Sequence, residues 1–242
     1  MIPSIIHYCW FGGKDKPDEI INYINGWKSK LPKFEFYEWN ESNFDVEQAP
    51  LYVQQAYEAK KYAFVSDFVR VDKLIQYGGI YLDTDVELLK RFNGLLDKQE
   101  MVLGFEMSTS INTAFIAAKK QHPFLQEFIK IYDQIPFMTD EGMDCSTINK
   151  RMTELLLEYG LTLDNQQQKL PIGIQVYPFE YFVGYDIMGS HQAVTEHTVM
   201  IHHFNGSWGE KLPILLRLKY CIKKVLVYIL GIKNFDRILK KG

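Results

Sequence analysis

Between Ala63 and Leu89 the hydrophobic positions change period. Phe64, Phe68, Val71 and Ile75 fall at i, i+4, i+7 and i+11, an apolar stripe at the helical repeat. Gly78 and Gly79 supply the left-handed backbone that stops a helix, and Ile80, Tyr81 and Leu82 follow as a short apolar, β-prone run. The pattern predicts a helix, a turn and a buried strand that runs straight into Asp83, Thr84 and Asp85. Asp67 and Arg70, three residues apart, leave the helix on neighbouring lines along one edge of the stripe and can reach a common pocket.

Similar runs recur on either side. Ile5 to Trp10 predicts a first strand ending at Phe11, Gly12 and Gly13, with Pro17 opening a helix that reaches about Lys30. Phe34 to Trp39 predicts a second strand, and Leu51 to Lys60 a helix leading into the central segment. Met101 to Glu106 and Thr113 to Ala118 read as strands around a polar turn that holds Asn112. His122 to Gln134 and Cys145 to Tyr159 read as amphipathic helices, with Asp140 and Asp144 in a solvated loop between them. Thr198 to Trp208 reads as a strand and a tight polar turn. Alternation along that strand sends His202 and His203 to opposite faces, so only one of them readily serves a site. Strands alternating with helices predict an α/β domain with a mixed sheet flanked by helices.

Composition narrows the class. At 242 residues and 47% hydrophobic content the chain suits one large domain with a substantial core. The net charge of -3 is unevenly placed: from Lys211 onward nine Lys or Arg face Asp236 alone, giving +8, so the first 210 residues carry 18 basic against 29 acidic side chains, or -11. This asymmetry divides a domain, 1–210, from a basic tail, 211–242, and points to a membrane surface rather than to nucleic acid. The tail's longest uncharged run, Val225 to Ile232, is far short of the roughly 18 to 20 residues that span a bilayer. Apolar residues interleaved with lysines predict C-terminal basic amphipathic helices lying on an anionic membrane; helices packed on the domain are the plainer reading. Cys9, Cys145 and Cys221 are odd in number and lack metal spacing, which fits a reducing cytoplasm. The start, MIPSIIHYCWFGG, has no basic opening and its apolar run is broken by His7, so it does not read as a secretory signal.

The chemistry sits where the central strand ends. In open α/β sheets ligands bind beyond the carboxyl ends of the strands. Two aspartates at i and i+2 in a turn can divide the work, one holding a divalent ion and the other a sugar or ribose hydroxyl. The ion neutralises a departing diphosphate. A bare Asp-x-Asp decides nothing, and a surface ion pair beside a capped turn is the bland alternative.

Context sharpens it. Ser66 to Asp85 reads SDxxRxxxLxxxGGxYxDxD. This string resembles the signature of the DXD-containing sugar transferases, the family that includes fungal initiating mannosyltransferases and bacterial capsule-synthesis enzymes, and is similar to the glucosyltransferase domain of the large clostridial toxins. The resemblance covers roughly residues 1 to 210. It implies a GT-A-like nucleotide-sugar-binding fold and a metal-dependent hexosyltransferase that retains anomeric configuration. It implies that Asp67 and Arg70 orient the sugar, that Asp83 holds ribose or sugar hydroxyls, and that Asp85 binds Mn²⁺ or Mg²⁺. His7 to Gly13 resembles the family's HxxWxGG-like opening, which implies that Trp10 stacks on the donor base, where the residues alone favour a core tryptophan. HHxxGSW, from His202 to Trp208, resembles the closing motif; it implies His203 as the second metal ligand, Asn205 or Ser207 beside it, and Trp208 at the diphosphate. Asn112 is a candidate for a sugar hydroxyl, although such residues more often make turns.

The resulting expectation is transfer of a hexose, from UDP-hexose by preference and GDP-mannose as second choice, to a glycan or lipid-linked oligosaccharide in surface polysaccharide or capsule synthesis. The chain is expected on the inner face of the cell membrane as a peripheral protein. Two rivals remain open: a phosphohydrolase of the aspartyl-phosphate type, with Asp140 and Asp144 as its later acidic pair, and a non-catalytic membrane-bound sugar-binding protein.

Overall fold

The computed structural model describes residues 1–92, 94–107, 109–184 and 194–204. The expected basic tail, 211–242, lies outside these residues, as do Asn205, Ser207 and Trp208. The strands are β1 (Ile5–Cys9), β2 (Glu35–Trp39), β3 (Gly79–Leu82), β4 (Val86–Leu88), β5 (Met101–Met107), β6 (Ser110–Ala118), β7 (Met138–Thr139), β8 (Gly142–Met143), β9 (Gln168–Leu170), β10 (Ile174–Tyr177) and β11 (Met200–His202). The helices are α1 (Asp18–Lys30), α2 (Leu51–Glu58), α3 (Tyr62–Tyr77), α4 (Pro123–Phe128), α5 (Ile131–Gln134) and α6 (Ile148–Glu158).

Seven strands form one mixed sheet in the order β2-β1-β3-β6-β5-β10-β9. Strand β1 runs parallel to β2 and β3, β6 runs antiparallel to β3 and β5, and β10 runs parallel to β5 and antiparallel to β9. A separate antiparallel ribbon pairs β4 with β11, with His202 opposite Val86. Because successive side chains of a strand point to opposite faces, β1 feeds two cores. Cys9 and Phe11 join the cluster under α2, α3 and α6, while Ile6, Tyr8 and Trp10 join the cluster under α1.

Helix α1 follows its amphipathic pattern. Ile20, Ile24 and Trp27 are buried, acids occupy the first turn and lysines the last, which suits the helix dipole. Trp27 also donates from Nε1 to the Val86 carbonyl at 2.8 Å, fastening α1 to the ribbon. Helix α3 is enclosed more completely than its stripe predicts. Every residue from Val65 to Val71 is buried, Asp67 and Arg70 included, whereas Phe64 and Ile75 at the stripe's ends are half-buried. The Gly78 N–H donates to the Leu74 carbonyl at 2.9 Å and closes the helix with φ 68°. Gly79 opens β3 at φ 109°, and a Cβ there would stand 2.7 Å from the Ile5 carbonyl oxygen, so both the turn and the β1–β3 approach require glycine. All four residues of β3 are buried.

Two expected helices change their bounds. The single helix expected over His122 to Gln134 is split into α4 and α5, because the turn between them is tightened by Lys130 N–H to Glu127 and Tyr132 N–H to Ile129 bonds in place of i−4 bonds. The helix expected from Cys145 starts at Ile148, since Thr147 caps it by accepting the Lys150 N–H at 3.3 Å.

Candidate active site

Strand β3 delivers its carboxylates into a tight turn. The Asp83 N–H donates to the Ala114 carbonyl at 2.9 Å, and the Val86 N–H returns to the Asp83 carbonyl at 3.1 Å. Strand β11 then lies along β4, and the His203 N–H donates to the Asp85 carbonyl at 3.1 Å. That pairing carries the His202 ring to the turn, with Nε2 3.4 Å from Asp85 Oδ1. Asp83, Asp85 and His202 each offer one ligand atom, and these atoms lie within 4.8 Å of one another. This is about the span of two metal–ligand bonds of roughly 2.2 to 2.5 Å end to end. The imidazole is buried, which lowers its basicity, but the hydrogen bond and charge of Asp85 and the charges of Asp83 and Glu106 outweigh burial and hold its pKa above the usual value. Among the described residues His202 Nδ1 has no hydrogen-bond partner. Two carboxylates and an imidazole whose ligand atoms converge within 4.8 Å are the oxygen and nitrogen donors that a divalent ion takes, so the donor set fits one.

Helix α3 supplies the second half. Arg70 Nη2 lies 2.9 Å from Asp67 Oδ1 and 3.3 Å from Asp83 Oδ1, while Nη1 donates to the Thr113 carbonyl at 2.8 Å and Nε to the Ser66 carbonyl at 3.3 Å. The guanidinium carbon also sits 4.5 Å from the centre of the Tyr81 ring, whose hydroxyl donates to Asp83 Oδ1 at 2.9 Å. Burial pushes the Asp67 carboxyl up to about 6, against the opposing pull of Arg70 and of a hydrogen bond from the Ile148 N–H. Burial works against the Arg70 charge, but Asp83, Tyr81 and Asp67 more than restore it. One fixed cation thus ties the helix carboxylate to the strand-end carboxylate.

These groups line a cavity of about 320 Å³, together with Cys9, Thr113, Thr147, Ile148, Asn149 and Phe204. The structure therefore brings Asp67, Arg70, Asp83 and Asp85 together, as the sequence led one to expect. The histidine it brings is His202. His203, the expected ligand, faces the other way: its ring stacks on Tyr23 at 4.9 Å and its Nε2 lies 3.1 Å from Glu87 Oε2. The alternation was foreseen, but the register of β11 on β4 decides which histidine points inward.

Two other expected residues sit elsewhere. Trp10 packs in the cluster under α1, 7% exposed, with Nε1 donating to the Lys14 carbonyl at 2.6 Å and the Lys16 ammonium 5.8 Å from the ring centre. Strand parity gives the cavity Cys9 instead. Asn112 is fully buried, accepting the Ala114 N–H at 2.8 Å and donating to the Phe182 carbonyl at 3.2 Å, so its amide braces main chain where a sugar contact was expected. Asp140 is exposed, and Asp144 is bound to Arg151 and to the Ser146 N–H at 3.0 Å; neither lines the cavity.

Asn149 and Thr147 also line this cavity, and sequence reasoning missed both. Asn149 accepts from the Thr113 hydroxyl and donates to Glu106 Oε2 at 2.7 Å. The one local signal was Thr147 as a helix cap, which locates α6 but not what its first turn faces.

Parts of this chain are similar to known proteins. Residues 17–102 match the family described as the glycosyltransferase sugar-binding region containing DXD motif. Inositol phosphoceramide mannosyltransferase 1 of Schizosaccharomyces pombe is 28% identical over 140 residues, which is 53% of this chain and 42% of that protein. Lactosylceramide 4-alpha-galactosyltransferase of Homo sapiens is 33% identical over 85 residues, 34% of this chain and 23% of that protein. The chain thus spans less than half the length of either relative. Among solved structures, the PaToxG glycosyltransferase superposes with a TM-score of 0.53 at 19% identity, covering 65% of this chain and 69% of that one, a likeness of fold.

Proposed function

We propose that this chain, which carries the DXD sugar-binding region of glycosyltransferases, moves a hexose from a nucleotide sugar to a hydroxyl of a glycan or lipid-linked oligosaccharide. The observation that carries the reading is the juxtaposition of Asp83, Asp85 and His202, their ligand atoms within 4.8 Å, with the Asp67–Arg70 pair in one cavity.

Asp83, Asp85 and His202 would hold a divalent cation, Mn²⁺ in preference to Mg²⁺ because of the imidazole nitrogen; the ion supplies neutralisation of the leaving diphosphate. Asp67, already fixed by Arg70, accepts hydrogen bonds from sugar hydroxyls and sets the ring's position. Arg70 keeps Asp67 and Asp83 at a constant separation and adds positive charge near the developing negative charge. Asp67, Asp83 and Asp85 are all engaged by neighbours, which disfavours any of them as a covalent nucleophile; with retention taken from the family resemblance, front-face attack is the route that this leaves. Base stacking on Trp10 would require the Lys14–Lys16 segment to swing off its ring. A UDP-hexose donor, a role in surface polysaccharide synthesis and attachment through the basic tail to the inner membrane surface belong to the same proposal.

Calorimetry with UDP and with GDP, each with and without Mn²⁺, on the full chain and on Asp85→Ala, tests it. Manganese-dependent binding of one nucleotide that the variant loses is the expected result and names the base; binding of neither overturns the nucleotide-sugar reading.

A further inference from the structure

Beside the aspartate cavity lies a second one of about 530 Å³, and the two share Thr147 and Asn149 as a common wall. Its chemistry differs from that of its neighbour. Among the described residues it holds no cluster of metal-ligating groups. Its lining is one carboxylate at depth, Glu106, a set of hydroxyls that includes Ser110 and Thr153, and the apolar side chains Leu157 and Leu163 at the surface.

Glu106 is the informative group. Asn149 donates to its Oε2 at 2.7 Å, and Ser110 donates to the same oxygen at 3.4 Å. Both bonds fall on Oε2, which leaves Oε1 without a hydrogen-bond partner among the described residues. A carboxylate oxygen accepts strong, charge-assisted bonds from hydroxyls. Leu157 and Leu163, 44% and 39% exposed, offer an apolar bank to the C–H face of a sugar ring. Lys150 and Glu154 on the rim balance each other's charge, so the described residues of the rim carry no net charge that would select an ionic ligand.

We infer that this second cavity is the acceptor subsite, taking the terminal residue of a neutral glycan with its hydroxyls on Glu106 and its apolar face on Leu157 and Leu163. The inference rests on the transferase reading of the adjoining cavity. The shared wall of Thr147 and Asn149 sets the acceptor hydroxyl next to the sugar held at Asp67, as direct transfer between two bound partners requires. Glu106 is a positioning and specificity group in this scheme.

Methyl NMR of the whole chain, with Leu, Ile and Thr methyls labelled, separates the two readings. Mg²⁺ with UDP or GDP reports on the first cavity through Thr113 and Ile148. Lactose, maltose and α-mannobiose, added at millimolar concentration to the nucleotide-loaded protein, report on the second through Thr153, Leu157 and Leu163. The expected result is that at least one disaccharide shifts the second set, that Leu157→Arg removes this response while the nucleotide response persists, and that Glu106→Gln weakens disaccharide binding by about tenfold, the size of one lost charge-assisted bond. If no disaccharide moves the second set, or if Leu157→Arg binds as the native chain does, the acceptor inference is overturned. Failure of both nucleotides to move the first set overturns the donor reading, a separate result.

Discussion

His202 Nε2 lies 3.4 Å from Asp85 Oδ1 because β11 is laid antiparallel on β4. The next residue, His203, turns away to Tyr23 and Glu87. Neighbouring histidines therefore have separable roles. His202→Ala is expected to lower Mn²⁺ affinity by at least the roughly 10- to 100-fold that changes behind a ligand already cost, whereas His203→Ala stays within about tenfold. Calorimetric titration of each variant with Mn²⁺ checks the assignment, and equal losses would reverse it.

Metal binding at this site should release a proton. Asp85 and its neighbours hold the His202 pKa above its usual value despite burial, and a metal ligand must be the neutral imidazole. Affinity is therefore expected to fall as pH falls through that raised pKa. Titrations in two buffers of different ionisation enthalpy should give different apparent heats; identical heats would mean that His202 does not lose a proton.

Asp67, with its pKa raised to about 6 mainly by burial, has the opposite effect on folding from a surface carboxylate. The native state holds this proton more tightly than the unfolded chain. The group's contribution to stability is complete below about 4 and is lost as pH rises through about 6. Asp67→Asn should flatten that part of the stability profile, measured by urea unfolding between pH 4 and 7, and should also remove the acid limb near pH 6 from the rate of any residual donor hydrolysis. An unchanged profile would show that Asp67 titrates normally.

Arg70 is only 6% exposed at its side chain and answers two carboxylates at once. Removing it leaves buried negative charges facing each other. Arg70→Met is expected to cost about 3 to 5 kcal/mol in urea unfolding, and the double variant Arg70→Met with Asp67→Asn should recover part of that loss. Simple additivity of the two single changes would show that the residues are not coupled.

Gly79 gives a test that involves no charge. Its φ of 109° and the 2.7 Å approach of a Cβ to the Ile5 carbonyl combine backbone strain with a clash. Gly79→Ala should destabilise by at least about 1 to 2 kcal/mol, and because β3 ends at Asp83 it should also weaken nucleotide binding. Chemical denaturation and calorimetry on the same sample read both effects.

What could be read from the sequence was what is local. Asp67 and Arg70 are one helical turn apart, and Asp83 and Asp85 share one turn, so spacing alone grouped them. The helix, the paired glycines and the strand were legible for the same reason. Parity was legible as well, since His202 must oppose His203 and Cys9 must oppose Trp10. What anchors parity to a face was not, because it is set by pairing between distant segments: β11 on β4, and β1 between β2 and β3. Asn149 and Glu106 were invisible for a related reason. They reach the site through the packing of α6 against β6 and through the register of β5, and neither leaves a periodic trace in the chain.

The enclosure of α3 has a thermodynamic consequence. Arg70 is held by four oxygen atoms before any ligand arrives, and the helix that bears it is buried from Val65 to Val71. Little side-chain freedom is left to lose when a sugar docks against Asp67. The entropy of ordering this wall is spent during folding, so the free energy of each new hydrogen bond to the sugar goes into affinity and alignment.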